Sequence, residues 1–197
     1  MSASVDSDRE RSWIERVGRG RVRLGALVAV GLAVAFLVWL LLAGDDGADT
    51  AETSGGAGAS RALSAAELVA AVRSAERPVY WAGPRAGVRY ELTLTPTGRA
   101  FVRYLPQDVE AGDPRPKFLT VATYPLADPL DAVRRTAARP GMRSERLPGG
   151  GLVVSARGGS TSAFFAEQGS NAQVEVYAPT PGDALGLVLG DVVQPVR

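Results

Sequence analysis

Residues 88–105 read VRYELTLTPTGRAFVRYL, and this stretch decides the fold of the larger part of the chain. Apolar and polar residues alternate on both sides of a Thr-Pro-Thr-Gly turn at 95–98. Such alternation is typical of a strand with one buried face, and a short turn rich in Pro and Gly joins two such strands into a hairpin. The sequence therefore predicts paired antiparallel strands at Val88 to Leu94 and Arg99 to Leu105.

Further strands are predicted on both sides of this hairpin. They cover 79–82, 118–124, 144–147, 152–155, 162–166 and 173–177. Short turns separate the strands of the second half, so we expect one antiparallel sheet of about six to eight strands.

Three helices are predicted around these strands. Ser64 and Glu67 have the spacing of a capping box before a helix at 65–75, while Asp128 and Thr180 are the predicted caps of the second and third helices. Each helix is apolar on one side only. We therefore predict an α+β fold with all three helices gathered on one face of the sheet. The regular order of elements also leaves an internal duplication open.

A different kind of segment precedes this domain. Residues Leu24 to Ala43 read LGALVAVGLAVAFLVWLLLA, without a charge or a proline. As a helix, these 20 residues would cover roughly 30 Å, the thickness of the hydrocarbon core of a bilayer. We predict a single transmembrane helix that contacts the lipid bilayer through Leu24 to Ala43. Small residues at four-residue spacing, such as Gly25 and Ala29, are compatible with a homodimer.

The charges beside this span predict its orientation. Residues 1–23 contain six Arg and four acids, whereas residues 44–60 contain four acids and no basic residue. Positive charge favours the cytoplasmic side, so we predict a cytoplasmic tail at 1–23 and an extracellular domain at 63–197. The apolar core of a cleaved signal peptide is usually only about 7 to 15 residues, so we expect the span to be retained. Residues 44–62 are poor in large apolar residues and are predicted to be a disordered tether.

The composition excludes several classes of chemistry. The chain has no Cys and no His, which removes disulfides, thiolate nucleophiles, histidine bases and zinc sites with such ligands. Its 22 Lys and Arg balance 21 Asp and Glu, so we expect no nucleic-acid partner. No catalytic, cofactor-binding or metal-binding residues are predicted.

The candidate partner-binding residues lie in two irregular stretches. Trp81 ends a short strand, and Arg85 follows it in a Gly-Pro-Arg turn. Asp113 and Arg115 lie in PQDVEAGDPRPK, the long loop at 106–117. Aromatic rings beside guanidinium groups are frequent in recognition surfaces, so we expect these four residues to contact an envelope protein or a wall polymer.

Two other functions and a possible cation site stay open at this point. Carboxylates drawn from Glu91, Asp108, Glu110 and Asp113 could form the acid and base of a hydrolase of wall glycan, if two of them face one cleft. The loop acids could also hold a hard cation such as calcium. A transmembrane signalling or assembly factor is the third interpretation, although residues 1–23 are too few for a cytoplasmic domain.

Three segments carry a resemblance to known proteins. They read PVYWAGPRAGVRYELTLTPTGRAFVRYLP, GDPRPKFLTVATYP and VEVYAPTPGDALGLVLGDVVQPV. They resemble a family of actinobacterial single-pass membrane-anchored proteins with an extracytoplasmic α+β domain and no assigned activity. The likeness covers about Leu63 to Val196 with the preceding span and tether. It implies a Gram-positive-type envelope and a domain that faces the cell wall, but it implies no catalytic residue.

Overall fold

The structure, a computed structural model, describes residues 61–197. The predicted tail, the predicted span at Leu24 to Ala43 and the tether up to residue 60 lie outside the described residues. Within 61–197, none of the helices has the length and apolar character needed to cross a membrane.

The described part contains ten strands and three α-helices. In chain order they are β1 Ala62–Leu63, α1 Ala65–Ala75, β2 Tyr80–Trp81, β3 Val88–Leu94, β4 Ala100–Pro106, β5 Thr120–Pro125, α2 Pro129–Ala137, β6 Met142–Arg146, β7 Leu152–Ala156, β8 Ser162–Ala166, β9 Ala172–Tyr177, α3 Asp183–Leu189 and β10 Gln194–Pro195. Eight strands form one sheet in the order β1-β3-β4-β5-β9-β8-β7-β6, and β10 pairs with β2 in a small second sheet. Every pair is antiparallel, so the predicted α+β fold with an antiparallel sheet is confirmed.

The hairpin of β3 and β4 pairs Leu94 with Ala100 and Val88 with Pro106, and it gives the sheet two different faces. Tyr90 lies opposite Tyr104, and Glu91 lies opposite Arg103. Neighbouring residues of a strand point to opposite faces, so the tyrosines lie on one face and the ion pair on the other. We call these the tyrosine face and the charged face. Gly98 closes the turn with a φ of 85°, a backbone conformation that favours glycine.

The main core lies on the tyrosine face. There α1 buries Leu68 and Val72, and α3 buries Leu185 and Val188. These side chains pack in one cluster with strand residues that include Tyr90, Tyr104, Val153, Phe165 and Val174.

The second helix, α2, lies on the charged face. Its Val133 packs against Val154 and Ala166 in a separate cluster, whereas Val153 belongs to the main core. Because Val153 and Val154 are neighbours in β7, they point to opposite faces. The prediction that all three helices gather on one face was therefore wrong. The second half of the sheet is apolar on both faces, and each face needs a helix to cover it.

The same placement argues against an internal duplication. In a duplication, β5 of the first half would correspond to β9 of the second, and α1 would correspond to α2. A two-fold axis that exchanges antiparallel neighbours is perpendicular to the sheet, so it would leave α1 and α2 on the same face. They lie on opposite faces, so the two halves share an element order without sharing an arrangement.

The helix caps follow the sequence signals only in part. The N–H of Glu67 donates to Ser64 Oγ at 3.2 Å and the N–H of Ser64 donates to Glu67 Oε2 at 2.8 Å, which confirms the capping box. Asp128 makes no side-chain cap bond. The third helix begins after Gly182, whose φ is 93°, two residues beyond the predicted cap Thr180.

The chain enters the described domain at an edge of the sheet. Ala62 of β1 pairs with Glu91 of β3, although residue 62 falls within the predicted tether. Neither β1 nor β10 was expected, because two residues are too few to show a period.

A double-mutant cycle tests the position of α2. We expect V133A and V154A to be coupled by about 0.5 to 1 kcal/mol in the free energy of unfolding, since their side chains share one cluster. V133A and V153A should add to within about 0.3 kcal/mol, because Val153 lies on the other face. Denaturant unfolding of the four variants measures both energies, and equal coupling in the two cycles would contradict the two-faced arrangement.

Candidate functional site

Several connections meet at one end of the large sheet. The register places Val88 opposite Pro106 and Thr120 opposite Tyr177, so β3 and β5 begin where β4 and β9 end. The connections at this end include 82–87, 107–119, 157–161 and 178–182. We call it the loop end, and it carries both stretches that the sequence singles out.

The turn at 82–87 is held by hydroxyl groups from the tyrosine face. Tyr104 Oη accepts the N–H of Ala82 and donates to the carbonyl of Gly83 at 3.2 Å. Tyr90 Oη accepts the N–H of Arg85 at 2.7 Å, and the Arg85 guanidinium carbon lies 5.5 Å from the centroid of the Tyr104 ring. Burial raises the pKa of Tyr104, so its hydroxyl stays protonated and can donate. The turn is thus fixed while Arg85 remains exposed.

Trp81 lies next to this turn but is half-buried. Its ring meets that of Tyr90 edge to face, with centroids 5.8 Å apart. It also pairs with Gln194 in the small sheet, and it packs against the main core. Trp81 therefore supports the turn and offers a partner only part of its surface.

The charged face holds the long loop through a nearly buried ion pair. Arg103 Nη1 lies 2.8 Å from Glu91 Oε2, and their side chains are 20% and 5% exposed. Glu91 Oε1 accepts the N–H of Gly112 at 3.1 Å, and the Arg103 guanidinium also donates to the carbonyl of Asp113. Each partner of the ion pair thus bonds the loop backbone as well as the other partner.

Two further side chains hold the same loop at its ends. The Arg89 guanidinium donates to the carbonyls of Gln107 and Val109 at 2.9 and 3.1 Å. Tyr177 Oη donates to the carbonyl of Pro116 at 2.6 Å. The loop is irregular in conformation but is bonded along its length to β3, β4 and β9.

Asp113 and Arg115 form a close ion pair within this loop. Arg115 Nε donates to both carboxylate oxygens of Asp113, at 2.9 and 2.8 Å. The hydrogen bonds from the Arg115 side chain and backbone lower the pKa of Asp113 to about 2. The pair therefore remains ionised at neutral pH, with Arg115 exposed and Asp113 half-buried.

A buried carboxylic acid that the sequence analysis missed lies on the same face. Glu175 is 8% exposed, and the hydroxyls of Tyr124 and Ser162 lie 2.9 and 3.2 Å from its two oxygens. No basic side chain of residues 61–197 pairs with it. Burial raises its pKa. The available signal was an acidic residue flanked directly by Val174 and Val176 in a strand.

Two of the four carboxylates proposed for acid–base chemistry have structural partners, while Asp108 and Glu110 are exposed. Both oxygens of Glu91 are bonded to Arg103 and Gly112, and both oxygens of Asp113 are bonded to Arg115. Among residues 61–197, no group of three or more Cys, His, Asp or Glu side chains is arranged to hold a metal ion.

In the described part of the chain, the surface of the loop end has two shallow depressions. One open depression of about 460 Å³ lies within residues 110–115. Another, of about 380 Å³, lies between Arg85 and the start of α3 and has Leu119 in its wall. The structure therefore places Arg85, Asp113 and Arg115 at the same end of the sheet, each beside a depression.

Comparison of the chain with protein-family models, curated proteins and solved structures found no match. The resemblance to actinobacterial membrane-anchored proteins stays a prediction, and function is argued from the geometry of the loop end.

Removing the Glu91 carboxylate should release the loop. We expect E91A to lower the free energy of unfolding by about 2 to 4 kcal/mol, because Arg103 and the Gly112 N–H lose a nearly buried acceptor. Amide hydrogen exchange at 107–115 should accelerate in the full chain. E110A, at an exposed residue of the same loop, is the matched control and should change stability by less than about 0.5 kcal/mol. Unchanged exchange in E91A would show that the ion pair does not hold the loop.

Glu175 should make stability depend on pH. Its folded-state pKa is raised, so the folded chain holds a proton that the unfolded chain releases above about pH 4.5. Stability should therefore fall as pH rises above 4.5 in the parent chain, and E175Q should reduce this fall. Urea unfolding of both chains from about pH 4.5 to 8 measures the difference. Parallel curves would contradict a protonated Glu175.

Proposed function

We propose that this chain is a membrane-anchored protein of the cell envelope, and that its outer domain binds a protein or a wall polymer through the loop end. The predicted span at Leu24 to Ala43 would hold it in the membrane with its N-terminus in the cytoplasm. Arg85, Asp113 and Arg115 would contact the partner, and Trp81 would support the turn beside them.

The observation that carries this proposal is the way in which the two irregular segments are held. Tyrosine hydroxyls fix the turn at 82–87, and an ion pair with two further side chains fixes the loop at 107–117. A loop that is already ordered loses little conformational entropy when a partner binds, which favours affinity. Recognition surfaces are often formed by loops that a rigid sheet holds in position.

The charges of this surface suit a partner with polar and ionic groups. Arg115 is exposed and carries a guanidinium whose remaining N–H groups are available to an acceptor, although one edge is bonded to Asp113. Arg85 is exposed, and its guanidinium lies over the Tyr104 ring, a contact that favours one position of the side chain. A glycan hydrolase is a weaker interpretation, because Glu91 and Asp113 are engaged in holding the loop.

Site-specific photo-crosslinking in cells that make this chain natively tests the proposal. A photoreactive amino acid at Ala86 or Lys117, both exposed at the loop end, should give a discrete adduct. The same amino acid at Thr97, in the turn at the opposite end of the sheet, should give none. D113A/R115A should reduce the adduct about fivefold or more, the effect of losing an interface contact worth above 1 kcal/mol.

The control removes a similar ion pair elsewhere. D131A/R134A deletes an exposed pair on α2 with an N–O distance of 2.7 Å, and the adduct should persist. Equal adducts at all positions, or equal loss in both double variants, would contradict binding at the loop end. Recovery of the intact chain in the aqueous fraction of broken cells would contradict the anchor.

A further inference from the structure

The net positive charge of the described domain is concentrated at one edge of the sheet. Residues 61–197 contain 16 basic and 13 acidic residues. Residues 128–157 contain six of the basic residues, all arginine, and only three of the acids, while the rest of the domain has ten of each. The acids of residues 44–60 hide this excess in the overall composition.

The fold places these arginines on α2, on the edge strand β6 and on the connections next to them. All six are exposed, and we call them the basic edge: Arg134, Arg135, Arg139, Arg143, Arg146 and Arg157. The buried side of α2 packs on the sheet through Val133, so its arginines are on the outer side. The N–H of Met142 donates to the carbonyl of Arg139 at 3.3 Å, and Arg157 Nε donates to the carbonyl of Met142 at 3.1 Å. The segment after α2, the start of β6 and the turn after β7 therefore meet at Met142.

Among residues 61–197, most of these guanidinium groups have no acidic partner. Arg134 pairs with Asp131 at 2.7 Å, and Arg143 lies 3.7 Å from Glu145. Within residues 61–197, no carboxylate comes within ion-pair distance of the other four arginines. Charges on an edge strand discourage pairing between sheets, but that role needs no excess of one sign and no arginines on the helix.

We propose that the basic edge binds a flexible polyanion of the cell envelope that carries phosphate groups along its length. Guanidinium groups bind phosphate oxygens through paired N–H donors, and a row of them can follow a charged chain. Such binding goes beyond the proposed contact at the loop end. The basic edge reaches the loop end only at the connection 157–161, which contains Arg157, and β6 lies five strand intervals from β4, or about 24 Å.

One observation favours a polymer over the surface of a lipid bilayer. Surfaces that bind membranes usually combine basic residues with large apolar ones, and the exposed large apolar residues of the described domain all lie outside 128–157.

The test uses the full chain in a nonionic detergent, with inorganic polyphosphate as the probe. Because the chain has no cysteine, S144C gives a unique position on β6 for an environment-sensitive dye. We expect a saturable dye response to polyphosphate. R135Q/R139Q/R146Q should weaken binding at least about tenfold at low salt and reduce the salt slope by about 2, as for three lost phosphate contacts.

The control neutralises the same number of exposed arginines elsewhere. R61Q/R73Q/R197Q should leave the affinity within about twofold, because these residues lie outside the basic edge. No dye response, or equal weakening by both triple variants, would overturn the proposal. So would self-association of R135Q/R139Q/R146Q with unchanged affinity, which would assign the arginines to edge protection alone.

Two additional arms distinguish polymer binding at the basic edge from membrane binding and from the contact at the loop end. In the first arm, the chain is placed in nanodiscs of neutral lipid or of phosphatidylglycerol, and the dye should report polyphosphate binding equally well in both. A dye response to phosphatidylglycerol without polyphosphate would assign the basic edge to the membrane and overturn the proposal. D113A/R115A should leave polyphosphate binding unchanged. Failure of the loop-end contact would therefore be distinguishable from failure of the basic edge.

Discussion

The described domain depends on an ion pair between two strands of one hairpin. Glu91 and Arg103 face each other across β3 and β4, nearly enclosed between the sheet and the loop at 107–117. A buried ion pair is worth little unless its other polar atoms are also bonded, and here each partner is bonded to the loop backbone. The hydrogen bonds to the loop backbone help to offset the cost of burying the two charges, and they link the stability of the sheet to the shape of the loop end.

The sequence predicted the elements better than their arrangement. The hairpin, α1 with its capping box and most strands were evident, because periodicity and caps are local signals. The side of the sheet taken by α2 was missed, although consecutive buried residues such as Val153 and Val154 indicated that both faces are covered. Which helix covers which face depends on packing between distant segments, and no local pattern contains it.

For the candidate site too, the sequence predicted which residues to consider better than how they are arranged. Arg85, Asp113 and Arg115 were chosen for their residue types and their irregular surroundings, and the structure places them at one end of the sheet. The sequence could not show that Glu91 holds the loop instead of facing a cleft, because this depends on its pairing with Arg103 and Gly112. The basic edge was also missed, because the acids of 44–60 cancel its charge when everything after the predicted span is averaged, although a count over 128–157 alone shows the excess.

The alternation of the hairpin has a consequence for how this protein can vary. Tyr90 and Tyr104 hold the turn at 82–87, and their neighbours Glu91 and Arg103 hold the loop at 107–117. A single-residue insertion or deletion within either strand would exchange these side chains between faces and release both segments together. Related chains can therefore be expected to tolerate length changes at the tip of the hairpin or inside the long loop, while the two strands keep a constant length.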